Sequence, residues 1–321
     1  MLPLLLDGVA AQEGVDPAAL TLCFLFDRCS DASRTVVEHH RHALPCDIRM
    51  AEMAGCPMPN AGSARRAAMA IALGTGESPP DLLLTTDADS VPAPDWVACA
   101  RKALTRADVA CGRIERLDSP HRGQDRIERY YDRLHALRRR LDPVAWEEAP
   151  AHHFSGGANL AFRTHVYVAL GGFAPVPSGE DARIVDDAAR AGFRVRRDAT
   201  MLVRTSARRV GRASAGLAAT LRQLDSGSLP DDLCHPADAA WQYRLHARAR
   251  AAFSRAAWGE VAGALALSPD HVLGVARDCP NAEAFAMRIV PTAPGGMRRV
   301  GLADAERALA ALEDELTLVA A

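Results

Sequence analysis

Apolar residues fall in short unbroken runs along the first third of the chain and in stripes at helical spacing farther on. Leu20 to Phe26 reads Leu-Thr-Leu-Cys-Phe-Leu-Phe and stops at Asp27, which predicts a buried strand. Ser33 to Ala43 has helical composition, and Cys46 to Met50 is strand-like. Gly62-Ser63 opens a helix through Ala72 that Ser63 is placed to cap. Asp81 to Thr86 is a further short apolar run, ending at Asp87. Strands alternating with helices predict a parallel, doubly wound sheet, whose ligands bind beyond the carboxyl ends of the strands. Asp27 and Asp87 both stand at such ends.

Pro92-Ala93-Pro94 breaks the chain and starts a helix near Asp95-Trp96, and Asp108 to Ile114 is another strand candidate. Ile127, Tyr130, Tyr131, Leu134, Leu137 and Leu141 then recur at helical spacing opposite Arg126, Arg129, Arg133 and Arg140. That basic face is either solvated or a membrane or partner surface. From His152 to Arg212, Gly156-Gly157, Gly171-Gly172 and Gly179 punctuate short elements, as where backbone approaches a ligand closely. Beyond Gly216 the sequence turns Ala-, Leu- and Arg-rich. It ends in a helix whose stripe is Leu302, Ala305, Leu309, Leu312 and Leu316. The composition shift divides the chain into residues 1–219 and a helical C-terminal region, residues 220–321, expected to pack against the first.

Composition narrows the function classes. With 49% hydrophobic and 24% charged residues the chain can bury a sizeable core. The 38 Lys+Arg against 40 Asp+Glu leave a net charge of -2, so no global field recruits nucleic acid. The 8 cysteines form no C-x-x-C pair and no zinc spacing, which points to reduced thiols and a cytoplasmic location. No run approaches the roughly 20 apolar residues of a membrane span; peripheral membrane contact stays open.

Three segments carry candidate chemistry. Thr85-Thr86-Asp87-Ala88-Asp89-Ser90 sets two carboxylates one residue apart after a buried strand. In an extended loop both reach one divalent ion, magnesium or manganese, which uses its remaining positions for waters and substrate phosphates. Glu180-Asp181 opens a helical stretch after a Gly-rich loop, where a carboxylate can take a proton from a hydroxyl or simply face a helix N-terminus. Thr205-Ser206-Ala207-Arg208-Arg209-Val210-Gly211-Arg212 gathers guanidiniums and hydroxyls suited to phosphates.

The order of these segments resembles the family 2 glycosyltransferases of GT-A fold, over about the first two thirds of the chain. The matching pieces are Phe26-Asp27-Arg28-Cys29-Ser30-Asp31, Asn60-Ala61-Gly62-Ser63-Ala64-Arg65-Arg66 and Thr86-Asp87-Ala88-Asp89. They continue with Gly156 to Arg163, Gly171-Gly172-Phe173, Glu180-Asp181 and Thr205 to Arg212. The resemblance implies a mixed, mostly parallel sheet flanked by helices, and inverting transfer of a sugar from a nucleotide diphosphate sugar. It implies that Asp27 contacts the nucleoside and that Arg65 lies near the base or phosphates. Asp87 would face the ribose or the metal, and Asp89 would ligate the metal. Asp181 matches the catalytic base, with Glu180 beside it. Gly156 and Gly157 would line the donor sugar or acceptor floor, and Arg208 and Arg212 would approach the diphosphate. The acceptor, whether glycan, lipid or small molecule, is not specified.

That family's chain normally begins with a buried strand ending in a loop that helps hold the nucleoside, and nothing here matches it. Met1 falls where the following helix should begin. A misplaced start is the expectation, since losing an inner strand exposes unpaired backbone. Two other function classes stay open: a sugar nucleotidyltransferase, distinguished by release of pyrophosphate, and a non-catalytic binding or scaffold protein.

Overall fold

The computed structural model of the chain describes residues 1–53, 60–74, 78–117, 121–211, 216–294 and 296–320. Its first elements are α1 (Leu2–Ala10), β1 (Thr21–Phe26), α2 (Ser33–His40), β2 (Asp47–Glu52) and α3 (Ala61–Leu73). β1 and β2 pair in parallel. Phe24 and Phe26 turn one face of β1 onto Leu5, Leu6 and Val9 of α1 and Val37 of α2. α3 is capped by Asn60, whose side chain accepts from the Ser63 backbone N–H at 2.8 Å; the capping residue is therefore Asn60 and not Ser63.

β3 (Leu82–Thr85), β4 (Ser90–Pro92), α4 (Trp96–Ala103), β5 (Val109–Arg116), α5 (Arg122–Leu141), β6 (Leu160–Arg163), α6 (Thr164–Ala169), α7 (Glu180–Ala191) and β7 (Val195–Thr205) follow. Five of these are strands, in the order β3-β6-β5-β7-β4. β3, β5 and β7 run one way, and β6 and β4 run against them. β5 is fully buried at Val109, Ala110 and Cys111. Val109 and Cys111 pack toward α7, while Ala110 packs toward α4. Side chains alternate across a strand, so helices cover both faces, and the mixed α/β sheet expected from the sequence is the one found.

β5 and β7 pair in parallel with one break, where Gly112 faces Asp198 but Arg113 faces Leu202. Ala199, Thr200 and Met201 bulge out between. The Asp198 carboxylate accepts from the Thr200 N–H at 3.0 Å and its hydroxyl at 2.6 Å. The fully buried Asn159 amide donates to the carbonyls of Met201 and Arg113, each at 2.8 Å, and accepts from the Trp96 indole N–H at 2.8 Å. A Cβ on Gly112 would lie 2.2 Å from the Asn159 amide nitrogen, so only glycine fits there.

Among the described residues no ladder joins the β1–β2 pair to the five-stranded sheet. A cavity of about 1500 Å³ is lined by consecutive residues of both β1 and β3.

The rest is α8 (Leu217–Asp225), β8 (Leu233–Cys234), α9 (Pro236–Arg255), α10 (Trp258–Leu265), α11 (Pro269–Arg277), α12 (Ala282–Ile289), β9 (Arg299–Val300) and α13 (Leu302–Ala320). α9 to α12 close round Phe285, with Phe253 and Trp258 at 5.3 and 5.7 Å between ring centroids. The stripe Leu302, Ala305 and Leu309 of α13 is buried with Ile127, Tyr130 and Leu137 of α5. Arg126 pairs with Glu306 at 2.5 Å and Arg133 with Glu313 at 2.5 Å, so part of the basic face of α5 meets α13. α8 runs through residue 219, and the composition shift falls inside a helix. Among the described residues no helix is long and apolar enough to cross a membrane.

Candidate functional site

Three chain segments distant in sequence meet at the carboxyl end of β3. Arg65, one turn into α3, donates from Nη2 to Asp87 Oδ1 at 3.1 Å, from Nε to Glu180 Oε1 at 3.1 Å and from Nη1 to the Gly157 carbonyl at 2.7 Å. Its guanidinium lies 5.8 Å from the Phe173 ring centroid. Burial works against the Arg65 charge, but the Asp87 and Glu180 carboxylates outweigh it and hold the group protonated. A Cβ on Gly157 would stand 2.4 Å from Arg65 Cζ. Glycine at 157 is what lets the guanidinium lie against that backbone. The Thr85 hydroxyl donates to the same Gly157 carbonyl at 2.6 Å.

Asp181 is turned toward this loop. Its Oδ2 accepts from the Gly157 N–H at 2.8 Å and its Oδ1 from the Ala182 N–H at 2.7 Å, on a carboxyl that is only part-buried. Glu180 is buried and committed to Arg65. The two acids are therefore not equivalent, and Asp181 is the one able to meet a hydroxyl. Gly156 packs under Ile114, where a Cβ would come within 2.9 Å.

Asp87 to Ser90 form a tight turn, the Ser90 N–H donating to the Asp87 carbonyl at 3.0 Å, in place of the extended loop expected from the sequence. The turn sends the two carboxylates to different partners: Asp87 to Arg65, and Asp89 to Arg208 at 2.9 Å. Burial pushes the Asp89 carboxyl above the ordinary range, Arg208 opposing and Asp87 adding to the shift. The Ser206 N–H holds the Asp89 carbonyl at 3.1 Å, and Ser90 Oγ donates to Thr205 Oγ1 at 3.0 Å. The turn and the Arg208 loop are thus one unit. Arg209 points away, to Asp225 at 2.8 Å. Arg212 lies outside the described residues.

Among the described residues no group of three or more His, Cys, Asp and Glu gathers to hold a metal. The donor set still fits magnesium or manganese of one kind: an ion that takes one carboxylate and otherwise waters and phosphate oxygens. Asp89 is desolvated, and its partner Arg208 is 56% exposed; Asp87 is engaged by Arg65. Asp27, Asp87, Asp89 and Arg208 all border the large cavity, Asp27 at the end of β1 beside Arg28, its Oδ1 accepting at 2.8 Å.

Sequence reasoning missed the buried loop that sets Gly156-Gly157 in place. His152 Nε2 stands 3.1 Å from the Cys111 carbonyl, and its Nδ1 is 2.9 Å from the Phe154 N–H. Asp132 pairs with His153 at 2.8 Å. The doublet His152-His153 just ahead of the glycines was the available signal.

No family model matches the sequence, and comparison with curated proteins gives no match. Solved structures are similar in three dimensions. The mannosyltransferase PcManGT from Pyrobaculum calidifontis, in complex with GDP-Man and Mn2+, has a TM-score of 0.49 at 16% identity, covering 90% of this chain and 82% of that one. S. aureus TarS 1-349 in complex with UDP-GlcNAc gives 0.47 at 15% identity, over 90% and 85%. GalNAc-T7 with UDP, GalNAc and Mn2+ gives 0.43 at 14%, over 83% and 50%.

Proposed function

We propose that the chain is a family 2 glycosyltransferase of GT-A fold that moves a sugar from a nucleotide diphosphate sugar to an acceptor hydroxyl, with inversion. The observation that carries it is the convergence on Arg65: it ties Asp87, at the end of a sheet strand, to Gly157 and Glu180, one residue from the part-exposed Asp181. Asp27 binds the nucleoside at the end of β1. Arg208, with Arg212, takes the diphosphate, releasing Asp89 to hold a magnesium or manganese ion. When bound, such an ion neutralises charge on the departing diphosphate. Asp181 accepts the proton of the acceptor hydroxyl as that oxygen attacks the anomeric carbon. The Gly157 and Ala182 N–H groups fix the direction of its carboxylate. Glu180 acts through Arg65 as a positioning residue.

In this reading residues 1–219 are the catalytic region, and residues 220–321 are a helical region packed on α5 and α7. The location is the reducing cytoplasm, with peripheral membrane contact for a lipid acceptor; the seven described cysteines are unpaired, which supports a reducing setting. Calorimetric titration with uridine and guanosine diphosphates, with and without manganese, tests the donor site. One of the two is expected to bind, more tightly with the metal. Asp89→Ala and Asp181→Ala should each abolish transfer in a folded protein. Binding of neither nucleotide, or full transfer by both variants, overturns the assignment.

A further inference from the structure

Just ahead of Gly156-Gly157 three rings stand in a row. His153 stacks on Tyr131 of α5, with 5.3 Å between ring centroids and 27° between planes, and on Phe154 at 4.1 Å and 31°. Tyr131 is backed by the core that α5 shares with α13, and Phe154 stays part-exposed. Ser155 follows, and two residues later the Gly157 N–H meets Asp181. A chain extends at most about 3.6 Å per residue, so the backbone of Ser155 lies within about 7 Å of Gly157 and that of Phe154 within about 11 Å.

The polar edge of this stack is fixed in one state and left open. His153 Nδ1 donates to Asp132 Oδ1 at 2.8 Å, and the same carboxylate pairs with Arg113 at 3.4 Å. Burial pushes the Asp132 carboxyl up, but the hydrogen bond and charge of His153, with Arg113 adding, outweigh it and hold the group below the usual carboxylate range. A carboxylate only accepts, so the proton of a neutral imidazole sits on Nδ1, and Nε2 keeps its lone pair. Among the described residues nothing bonds His153 Nε2 or the Ser155 hydroxyl. Neither is one of the buried polar atoms left without a partner, so both reach solvent. Arg113, the cation at this edge, is already shared by Asp132 and Glu115.

A ring face beside an open acceptor and an open hydroxyl, with its cation neutralised, suits an uncharged ligand that is apolar on one face and hydroxylated at its rim. A sugar ring is such a ligand: its C–H face packs on an aromatic ring while its hydroxyls turn to the polar edge. An alkyl chain would cover Phe154 but desolvate Nε2 and the Ser155 hydroxyl without replacing their bonds to water. A phosphate or carboxylate would meet an arginine already paired. We propose that Phe154, His153 and Ser155 form the acceptor subsite and that the acceptor is a saccharide, one ring of which lies on Phe154 with a hydroxyl donating to His153 Nε2. Asp132 acts through His153 as a positioning residue. That the bound saccharide is the acceptor rests on the sugar-transfer reading; that the stack binds it does not.

Histidine ring NMR spectra of the full chain test it, with the methyl glycosides of glucose, galactose, mannose and N-acetylglucosamine as probes. The His153 Nε2 signal is assigned by its loss in His153→Gln. At least one glycoside is expected to shift it saturably. Phe154→Leu, which keeps an apolar side chain but no ring, should weaken that glycoside about tenfold. Asp132→Ala should move the Nε2 signal of the free protein toward that of a protonated nitrogen, which a merely structural role would not do. No shift with any of these glycosides, or full affinity in Phe154→Leu, overturns the proposal. So does a shift with octyl phosphate and none with the glycosides, which would make a lipid the occupant. Uridine and guanosine diphosphates with manganese, titrated into the same samples, separate the two readings. Nucleotide binding without a glycoside shift sinks the subsite alone; a glycoside shift without nucleotide binding sinks the donor site and leaves the stack a saccharide site.

Discussion

Arg65 shows how much one side chain can carry. Truncating it in Arg65→Ala would leave Glu180, 5% exposed at its side chain, without its cation. Breaking a buried pair on one side costs about 3 to 5 kcal/mol, and the partly open Asp87 end argues for the lower figure. Urea unfolding should show that loss in Arg65→Ala and less in Glu180→Gln, which keeps an acceptor. Gly157→Ala drives a methyl into the guanidinium and is expected to cost about 1 to 3 kcal/mol and to weaken nucleotide binding through Arg65. His152 makes a different prediction. Burial holds its pKa down to about 3, from 6.5, with Arg197 and His153 adding. Its Nδ1 must stay unprotonated to accept from Phe154. The unfolded chain binds the proton first, so the contribution of His152 is complete above pH 6.5 and lost as pH falls toward 3. His135 and His246 are shifted the same way by burial. Stability measured across that window should fall steeply, by a few kcal/mol, and less steeply in His152→Gln.

At the scale of elements, α5 and α13 separate packing from charge. Leu309 is fully buried between them, so Leu309→Ala should cost about 2 to 5 kcal/mol. The Arg126–Glu306 pair is 37% and 25% exposed, and Arg126→Ala should cost under about 1 kcal/mol; chemical denaturation of the two variants would check the ranking. Runs such as Leu22–Phe26 and Leu82–Leu84 announced their strands because both faces of each are covered. β4 did not, being three residues long with a proline at its end. β7 did not, because Arg196, Arg197 and Asp198 interrupt its apolar pattern: Arg196 pairs with Asp198 in the same strand and with the distant Glu148, and Arg197 with the distant Glu147. The spacing of Asp87 and Asp89 was legible, but the turn that parts them was not: it depends on the hydrogen bond from Ser90 and on arginines 22 and 119 residues away. The pairing of α5 with α13 lies 180 residues apart in the chain, beyond the reach of local periodicity.

The whole molecule is assembled from several apolar cores, one of them shared between α5 and the C-terminal helices. Asn281 at the start of α12 donates to the Gly192 carbonyl beyond α7 at 2.7 Å, and Arg250 of α9 pairs with Asp142 at the end of α5. The C-terminal helices thus brace α5 and α7. A nucleotide that binds only the folded state should then stabilise the entire chain, by about 2.7 kcal/mol at a hundredfold excess over its Kd. A rise in melting temperature with uridine or guanosine diphosphate and manganese, lost in Asp89→Ala, is the expected result.

The bulge at Ala199–Met201 sets a rule for length changes in this chain. Upstream of it β7 is in register with the centre of β5, and downstream it delivers Thr205, Ser206 and Arg208 to the Asp89 turn. Removing one residue within the paired segment Leu202 to Thr205 would leave the amino half of β7 as it is and turn every residue after the deletion to the opposite face. Insertions and deletions should therefore be tolerated in pairs or within the unpaired loop itself, and single ones should silence the site while most of the sheet still folds.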